Sequence, residues 1–200
     1  MGYSLFEFGA DTTHADASEF RNVQRNDYRR IGISDSDAKK MAFHEDGRGV
    51  ESMLAALRNG EPRYFGLKDG NSLAAVACLS DWLYGDAAPY QPEIITRLAK
   101  LRHRIGSRLG VNAVRDSGLA AFGVVDDRFY QEEAAELLDY VMEEANGKQS
   151  RYLYAAADTQ DDEFIEAFNN KGAKMAKGKI ELVDVHGVER LYGLMRAEVR

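Results

Sequence analysis

The sequence contains little cysteine, histidine or proline, and each shortage excludes a class of protein. Its 200 residues include one cysteine, Cys78, three prolines and four histidines. A single thiol cannot form an internal disulfide, and scattered histidines without a second cysteine lack the spacing of a metal site. Because 44% of the residues are hydrophobic and 30% are charged, the chain is neither disordered nor fibrous. We expect one metal-free globular domain over residues 1–200.

The sequence also lacks an excess of positive charge and any long apolar run. A net charge of −7 gives no general attraction to polyanions, so nucleic acid is not the expected partner. No apolar stretch approaches the roughly 18 residues that a membrane span requires. Glu7 and Asp11 stand where a signal peptide has a basic start and an apolar run. These features predict a cytoplasmic protein that does not associate with membranes.

The front half of the chain, residues 1–110, shows patterns of strands and helices in a definite order. The predicted elements are a strand at Tyr3–Phe8, a helix over residues 15–31, a helix ending at Asn59-Gly60, a hairpin of residues 63–67 and 73–83 around Asp69-Gly70, and an amphipathic helix from Pro92 to Leu109. The Asp-Gly pair supplies the positive φ of a tight hairpin turn.

The back half, residues 111–200, alternates strands and helices and ends in a hairpin. The predicted elements are a strand at Leu119–Val125, a helix ending near Asn146-Gly147, a strand over residues 151–157, a helix over residues 161–170, and a closing hairpin of residues 179–185 and 190–196. The first strand is apolar enough to be covered on both faces, and Gly147 is predicted to be a left-handed C-cap.

Two of these helices carry opposite charge. The helix from Pro92 to Leu109 bears a stripe of cations on its polar side, namely Arg97, Lys100, Arg104 and Arg108. The segment from Asp126 to Glu144 is strongly acidic. Both can be ordinary solvated faces, or they can steer a basic substrate or a protein partner to one side of the domain.

Two segments of the back half carry a family resemblance. Residues 124–138 read VVDDRFYQEEAAELL, and residues 161–173 read DDEFIEAFNNKGA. The first resembles the V-x-P-x-x-R-G-x-G-x-G/A pattern of the GNAT N-acetyltransferase superfamily, which precedes a helix containing Leu-Leu. The second resembles the N-x-x-A-x-x-x-Y-x-x-x-G-F pattern of that family. The order of elements is also similar, and the resemblance is sharpest from Leu119 to Arg196.

The resemblance implies both a fold and an activity. The fold is α/β, with a mixed, mostly antiparallel sheet that has one central parallel strand pair and is flanked by helices. The parallel pair is expected between the strands at Leu119–Val125 and residues 151–157, joined by a helical crossover. The implied activity is acyl-CoA-dependent N-acyl transfer, in which acetyl-CoA acetylates a small-molecule or peptide amine.

Family members hold the cofactor pyrophosphate on main-chain N–H groups at the start of the helix that follows the central strand. The resemblance therefore assigns cofactor binding to Val124, Val125, Tyr130, Gln131, Glu132, Glu133 and Ala134. Glycines normally allow the close approach of the phosphates, but this sequence has none between Gly123 and Gly147. Glu132 and Glu133 either cap the helix or repel a phosphate there.

The usual acid and base positions of the family are also changed. The tyrosine that often acts as general acid corresponds to Phe168, and the strand at Leu119–Val125 has no titratable side chain. On the neighbouring strand, Tyr154 shares a face with Tyr152, and Asp158 follows near the strand end. We take Tyr154 and Asp158 as candidate catalytic residues, with simple packing as the other interpretation of the tyrosines.

The departures from the family pattern support a second hypothesis. A noncatalytic binding or regulatory protein with the same fold could have lost the cofactor site and could bind a protein partner. The missing glycines and Phe168 favour it. Acetyl-CoA binding distinguishes the two hypotheses.

Overall fold

The computed structural model describes residues 2–44, 48–60, 62–81, 117–185 and 187–199. The predicted helix from Pro92 to Leu109, with its basic stripe, lies outside these residues. The elements are β1 Tyr3–Phe8, α1 His14–Arg30, α2 Asp35–Phe43, α3 Arg48–Asn59, β2 Arg63–Asp69, β3 Ser72–Asp81, β4 Ser117–Val124, a 3-10 turn Asp127–Phe129, α4 Tyr130–Gly147, β5 Tyr152–Asp158, α5 Asp162–Asn170, β6 Lys174–Val185 and β7 Val188–Glu198.

The described strands form one seven-stranded sheet in the order β1-β2-β3-β4-β5-β7-β6. Strands β4 and β5 are parallel, and each of the other neighbouring pairs is antiparallel. Helix α4 connects the two parallel strands, as a parallel connection requires. The predicted mixed sheet with one central parallel pair is therefore confirmed.

Alternation along the strands divides the core between the two faces of the sheet. On β3, Val76 and Cys78 pack with the apolar sides of α1 and α3. Ala77 and Leu79 face the opposite way and pack with α4 and α5. A third cluster around Met41 joins α2 to the β6–β7 hairpin. Helices thus cover both faces of the sheet. The β6–β7 hairpin packs on the face that carries α1 and α2.

Side chains at the helix starts supply hydrogen bonds that the free amides need. Thr13 and Asp16 form a capping box at α1. Ser34 caps α2 by accepting from the main-chain N–H of Asp37, and Asp161 caps α5. Gly70 has φ 63° in the β2–β3 turn, which confirms the predicted hairpin.

Two boundaries differ from the sequence prediction. Gly147 is the last residue of α4 and does not adopt a left-handed conformation; Gln149, two residues later, has φ 60° instead. Strand β6 begins at Lys174 rather than at residue 179, because its start pairs with the far end of β7 before a shift in register. None of the described helices is both long and apolar enough to span a membrane.

Candidate active site

The central feature of the sheet is a split between β4 and β5. These strands pair at only three positions, Ser117↔Leu153, Gly118↔Tyr154 and Leu119↔Ala155. Strand β4 nevertheless continues to Val124 and β5 to Asp158. Because the strands separate beyond their third pair, a cavity of about 70 Å³ opens inside the sheet.

Small, aromatic and acidic side chains line this cavity. Its described walls are Ala120, Ala121 and Phe122 of β4; Ala155, Ala156, Ala157 and Asp158 of β5; Asp27, Tyr28 and Ile31 of α1; and Leu119, Asp161, Phe164 and Tyr192. The small alanine side chains leave the cavity open, and the aromatic rings and carboxylates form its edges. Such a mixture of apolar surface and a few convergent polar groups is typical of a small-molecule site.

Gly123 allows α1 to lie directly on β4. A Cβ at this position would stand 3.3 Å from the Cα of Gln24 and 3.4 Å from the Cβ of Asp27. The close approach lets Asp27 Oδ1 accept a hydrogen bond from the main-chain N–H of Val124 at 3.3 Å. The N–H of Val125 donates to the carbonyl of Ala74 at 2.9 Å. Both amides that the resemblance assigns to the cofactor therefore already have acceptors within the protein.

Arg30 forms the centre of a buried ion cluster beside the cavity. Its Nε lies 3.2 Å from Asp27 Oδ1, its Nη2 lies 2.7 Å from Asp161 Oδ1, and its Nη1 pairs with Glu163. Only 6% of the Arg30 side chain is exposed. Its guanidinium lies 4.2 Å from the ring centre of Tyr130, a favourable cation–π distance. One side chain of α1 thus ties together the starts of α4 and α5.

The cluster contains more carboxylates than cations, and this affects Asp27. Burial raises the pKa of Asp27 to about 7; Arg30 opposes that rise and Asp161 adds to it. Burial also raises the pKa of Tyr130, whose hydroxyl has no hydrogen-bond partner. Asp27 can therefore gain or lose a proton near neutral pH at the edge of the cavity.

The start of α4 is only partly accessible. Of the residues assigned to cofactor binding there, Gln131 and Glu132 are exposed, whereas Tyr130, Glu133 and Ala134 are buried. No N-cap side chain covers the start of the helix. The interpretation of Glu133 as a cap is wrong, because its Oε1 accepts from the Tyr3 hydroxyl at 3.3 Å.

Glu133 is buried with an unsatisfied oxygen. Its Oε2 has no hydrogen-bond partner. Burial, more than any neighbouring charge, raises its pKa to about 7. Burial and the Glu133 carboxylate together raise the pKa of Tyr3 to about 12. The pair lies between α4 and the edge strand β1 and does not line the cavity.

The structure separates the two residues proposed for catalysis. Asp158 lines the cavity, whereas Tyr154 lies where β4 and β5 are still paired. Four residues along a strand span roughly 13 Å, so these side chains do not form an acid–base pair. Asp158 Oδ2 accepts from Arg190 Nε at 2.7 Å, and its Oδ1 accepts from the N–H of Gln160 at 2.9 Å.

Two other tyrosines, which were not among the residues predicted from the sequence, line the cavity. Tyr28 follows Asp27 on α1, and Tyr192 pairs with Asp158 across β7 and β5. Phe168, at the family's tyrosine position, is fully buried and stacks on Phe164 at 5.7 Å. The position of Tyr192 within the closing hairpin was the one signal that could have indicated it.

Three solved structures show what the chain is similar to. A GCN5-related N-acetyltransferase from Rhodopseudomonas palustris has a TM-score of 0.65 at 12% identity, over 99% of this chain and 96% of that one. An acetyltransferase from Salmonella typhimurium, solved with its cofactor acetyl-CoA, has a TM-score of 0.62 at 10% identity, over 100% of this chain and 95% of that one. FeeM, an N-acyl amino acid synthase from uncultured soil microbes, has a TM-score of 0.63 at 16% identity, over 99% of this chain and 91% of that one.

No protein-family model matches the chain, and no curated protein matches its sequence. The similarity therefore lies in the arrangement of elements, including the parallel pair β4–β5 and the crossover helix between its strands. The chain has the fold of the GNAT N-acetyltransferases.

Proposed function

We propose that the protein is an acyl-CoA-dependent N-acyltransferase that transfers an acetyl group to an amine. The observation that carries this proposal is the split between β4 and β5, which opens a cavity lined by small apolar and acidic side chains. Structures of the same fold that are N-acetyltransferases, one of them solved with acetyl-CoA, support it.

The residues around the split fit part of such a cofactor. Acetyl-CoA supplies the activated acyl group, as a thioester. The start of α4, without a side-chain cap, suits an anionic group. Arg128 stands beside it with 79% of its side chain exposed, and its guanidinium is paired with Asp126 at 2.7 Å. Among the residues assigned to the cofactor, Val125, Gln131 and Glu132 are the exposed ones. The charge of Glu132 opposes a phosphate, so we expect weak binding.

The residues of the cavity suit the two proton transfers of the reaction. The amine nitrogen forms a bond to the thioester carbon, the carbon–sulfur bond breaks, the nitrogen loses a proton and the sulfur gains one. Asp27, whose pKa is about 7, receives the proton from the amine. Tyr192 is the candidate donor to the sulfur, in place of Tyr154. Asp158, already bound by Arg190, orients the end of β5.

An acyl-transfer assay tests this function. Purified protein is mixed with acetyl-CoA and a panel of amines, and the free thiol that the reaction releases is measured. Transfer by the wild type, and its loss in Asp27→Asn while the variant remains folded, is the expected result. The matched control is Asp35→Asn, which removes an exposed carboxylate on α2 and should leave the rate unchanged.

A second candidate function is noncatalytic binding through the same fold. The hydrogen bonds from Val124 N–H to Asp27 and from Val125 N–H to the carbonyl of Ala74 favour it, because they satisfy within the protein the groups that a cofactor would use. Absence of transfer to every amine, together with absence of acetyl-CoA binding, is the outcome that supports it over the transferase.

A further inference from the structure

We propose that a groove at the start of β5 binds a phosphorylated polyol, a small molecule that carries one phosphate group and several hydroxyl groups. This inference goes beyond the proposed function and does not depend on it. It follows from the size of the groove, from neighbouring cations that have no carboxylate partner among the described residues, and from the hydrogen-bond acceptors on the remaining walls.

The groove is separate from the cavity in the β4–β5 split, and the two share no lining residue. Tyr152 in the groove and Asp158 in the cavity lie at opposite ends of β5, roughly 20 Å apart along the strand. The groove has a volume of about 680 Å³, within the range of about 300–1,000 Å³ that is usual for small-molecule sites. Its described lining residues are Asp139, Met142, Glu143, Tyr152, Asn170, Lys171, Gly172, Lys174, Arg196 and Glu198.

Cations gather around Tyr152 at this end of the sheet. The guanidinium of Arg196 lies 4.5 Å from the ring centre of Tyr152, and that of Arg151 lies 5.1 Å from it. Lys174 stands directly opposite Arg196 in the β6–β7 register, and like charges at opposed positions of antiparallel strands repel each other. Within the part of the chain that the structure describes, no carboxylate forms an ion pair with Arg151, Lys174 or Arg196.

A phosphate group suits this set of cations. A phosphate monoester carries about two negative charges at neutral pH and three acceptor oxygens, so it can bridge Arg196 and Lys174 and reduce their repulsion. The planar guanidinium of Arg196 can donate two parallel hydrogen bonds to it. A carboxylate has half the charge and one oxygen fewer. Lys171, the other cation of the groove, already pairs with Asp139 at 2.6 Å.

The other walls determine what the phosphate is attached to. Glu143 and Glu198 line the groove, and neither pairs with a cation of the described residues. Their charges oppose a ligand that is negative along its whole length, such as a polyphosphate or a nucleic acid. Together with the amide of Asn170, the two carboxylates can accept hydrogen bonds from hydroxyl groups. The part of the ligand beyond the phosphate is therefore uncharged and hydroxylated.

Titrations followed by NMR chemical shifts test this site at about pH 7.5, where the phosphate is mostly a dianion. The probes are glycerol 3-phosphate, inorganic phosphate, glycerol and 3-phosphoglycerate, which adds a carboxylate at nearly the same size. Glycerol 3-phosphate should shift the resonances of Tyr152, Lys174 and Arg196 saturably. Inorganic phosphate and 3-phosphoglycerate should bind several-fold more weakly, because the first lacks hydroxyl groups on carbon and the second meets Glu143 and Glu198. Glycerol should not saturate the site.

Arg196→Gln and Lys174→Gln identify the cations responsible. Both side chains are exposed, so each variant should fold, which circular dichroism checks. Arg196→Gln should weaken the binding of glycerol 3-phosphate about tenfold or more, because it removes a charge-assisted hydrogen-bond donor. Lys174→Gln should weaken it several-fold. The matched control is Arg58→Gln, at an exposed position of α3 outside the groove, which should bind as the wild type does.

The outcomes separate a specific site from general attraction of anions. Saturable binding of glycerol 3-phosphate that Arg196→Gln or Lys174→Gln weakens, and that Arg58→Gln leaves unchanged, supports the inference. No binding of glycerol 3-phosphate, or wild-type affinity in both groove variants, overturns it. Inorganic phosphate or 3-phosphoglycerate bound as tightly as glycerol 3-phosphate also overturns it, and shows an adventitious ion only. No acyl donor is present in these titrations, so their failure leaves the proposed transferase untouched.

Discussion

Asp27 and Glu133 are both buried acids with a pKa of about 7, but their surroundings give them different roles. Asp27 lines the cavity, accepts the N–H of Val124 and shares Arg30 with two other carboxylates. Glu133 faces Tyr3 and has an oxygen without a partner. Position relative to the cavity, rather than the size of the pKa change, therefore separates a candidate catalytic group from a group that affects stability.

Glu133→Gln should change how stability depends on pH. The pKa of Glu133 rises from the usual 4.5 to about 7 on folding, so between these values the native state holds a proton that the unfolded state releases. Stability therefore falls as the pH rises through this window. Between these pH values the free energy of unfolding should decrease by about 1–3 kcal/mol less in the variant than in the wild type. Chemical denaturation at several pH values measures it, and an unchanged slope contradicts the assignment.

Tyr192→Phe should lower the acetyl-transfer rate more than Tyr154→Phe does. Tyr192 lines the cavity, whereas Tyr154 lies where β4 and β5 are still paired. Loss of a general acid costs about 10²-fold or more in kcat. Steady-state kinetics on the two variants provide the comparison. A larger loss in Tyr154→Phe would restore the sequence-based choice of acid.

Helix α1 carries two arginines with very different environments. Arg30 is buried among three carboxylates, whereas Arg25 pairs with Asp35 at the surface. Buried charges depend strongly on their partners, while exposed pairs contribute little. The two positions offer a matched comparison on one helix.

Arg30→Met should destabilise the protein by about 3–5 kcal/mol, because it leaves buried carboxylates without their cation. Arg25→Met should cost at most about 1 kcal/mol. Urea denaturation of both variants measures the difference. Similar losses in the two variants would show that the Arg30 cluster does not tie α1 to α4 and α5.

The glycines at the two ends of the β4–α4 unit should respond in opposite ways to alanine. Gly147 is helical, with nothing within 4 Å of an added Cβ, so Gly147→Ala should stabilise by up to about 1 kcal/mol. Gly123→Ala should destabilise, because the new Cβ meets α1 at 3.3 Å. Thermal unfolding tests both. Destabilisation by Gly147→Ala would favour the left-handed cap predicted from Asn146-Gly147.

Over the whole molecule, the order of elements was predictable from the sequence, but much of the site was not. Hydrophobic periodicity and the Asp69-Gly70 turn indicated the described strands and most of the described helices, but not α2. The parallel pair was predicted from the family resemblance. The spacing of Asp27 and Arg30 predicts only an ordinary i,i+3 ion pair. Their other partners, Val124 and Asp161, lie 97 and 131 residues away in sequence. Only the packing of α1 across Gly123 brings them together.

The departures from the family pattern at the start of α4 are visible in the sequence, but the directions of the side chains are not. The sequence shows two adjacent glutamates, yet one is exposed and the other turns toward β1. The exposed Glu132 remains the carboxylate that opposes a phosphate. Side-chain direction depends on which neighbours fill the space, and no pattern within the helix indicates this.

Calorimetric titration with acetyl-CoA tests the central claim, that the β4–β5 split is an acyl-CoA site. We expect weak, saturable binding at one site, several-fold tighter in Glu132→Gln because a negative charge is removed beside the start of α4. Ala121→Leu, which fills the cavity, should abolish binding while its circular dichroism remains that of the wild type. No binding by the wild type or by Glu132→Gln, or undiminished binding by Ala121→Leu, would contradict the account.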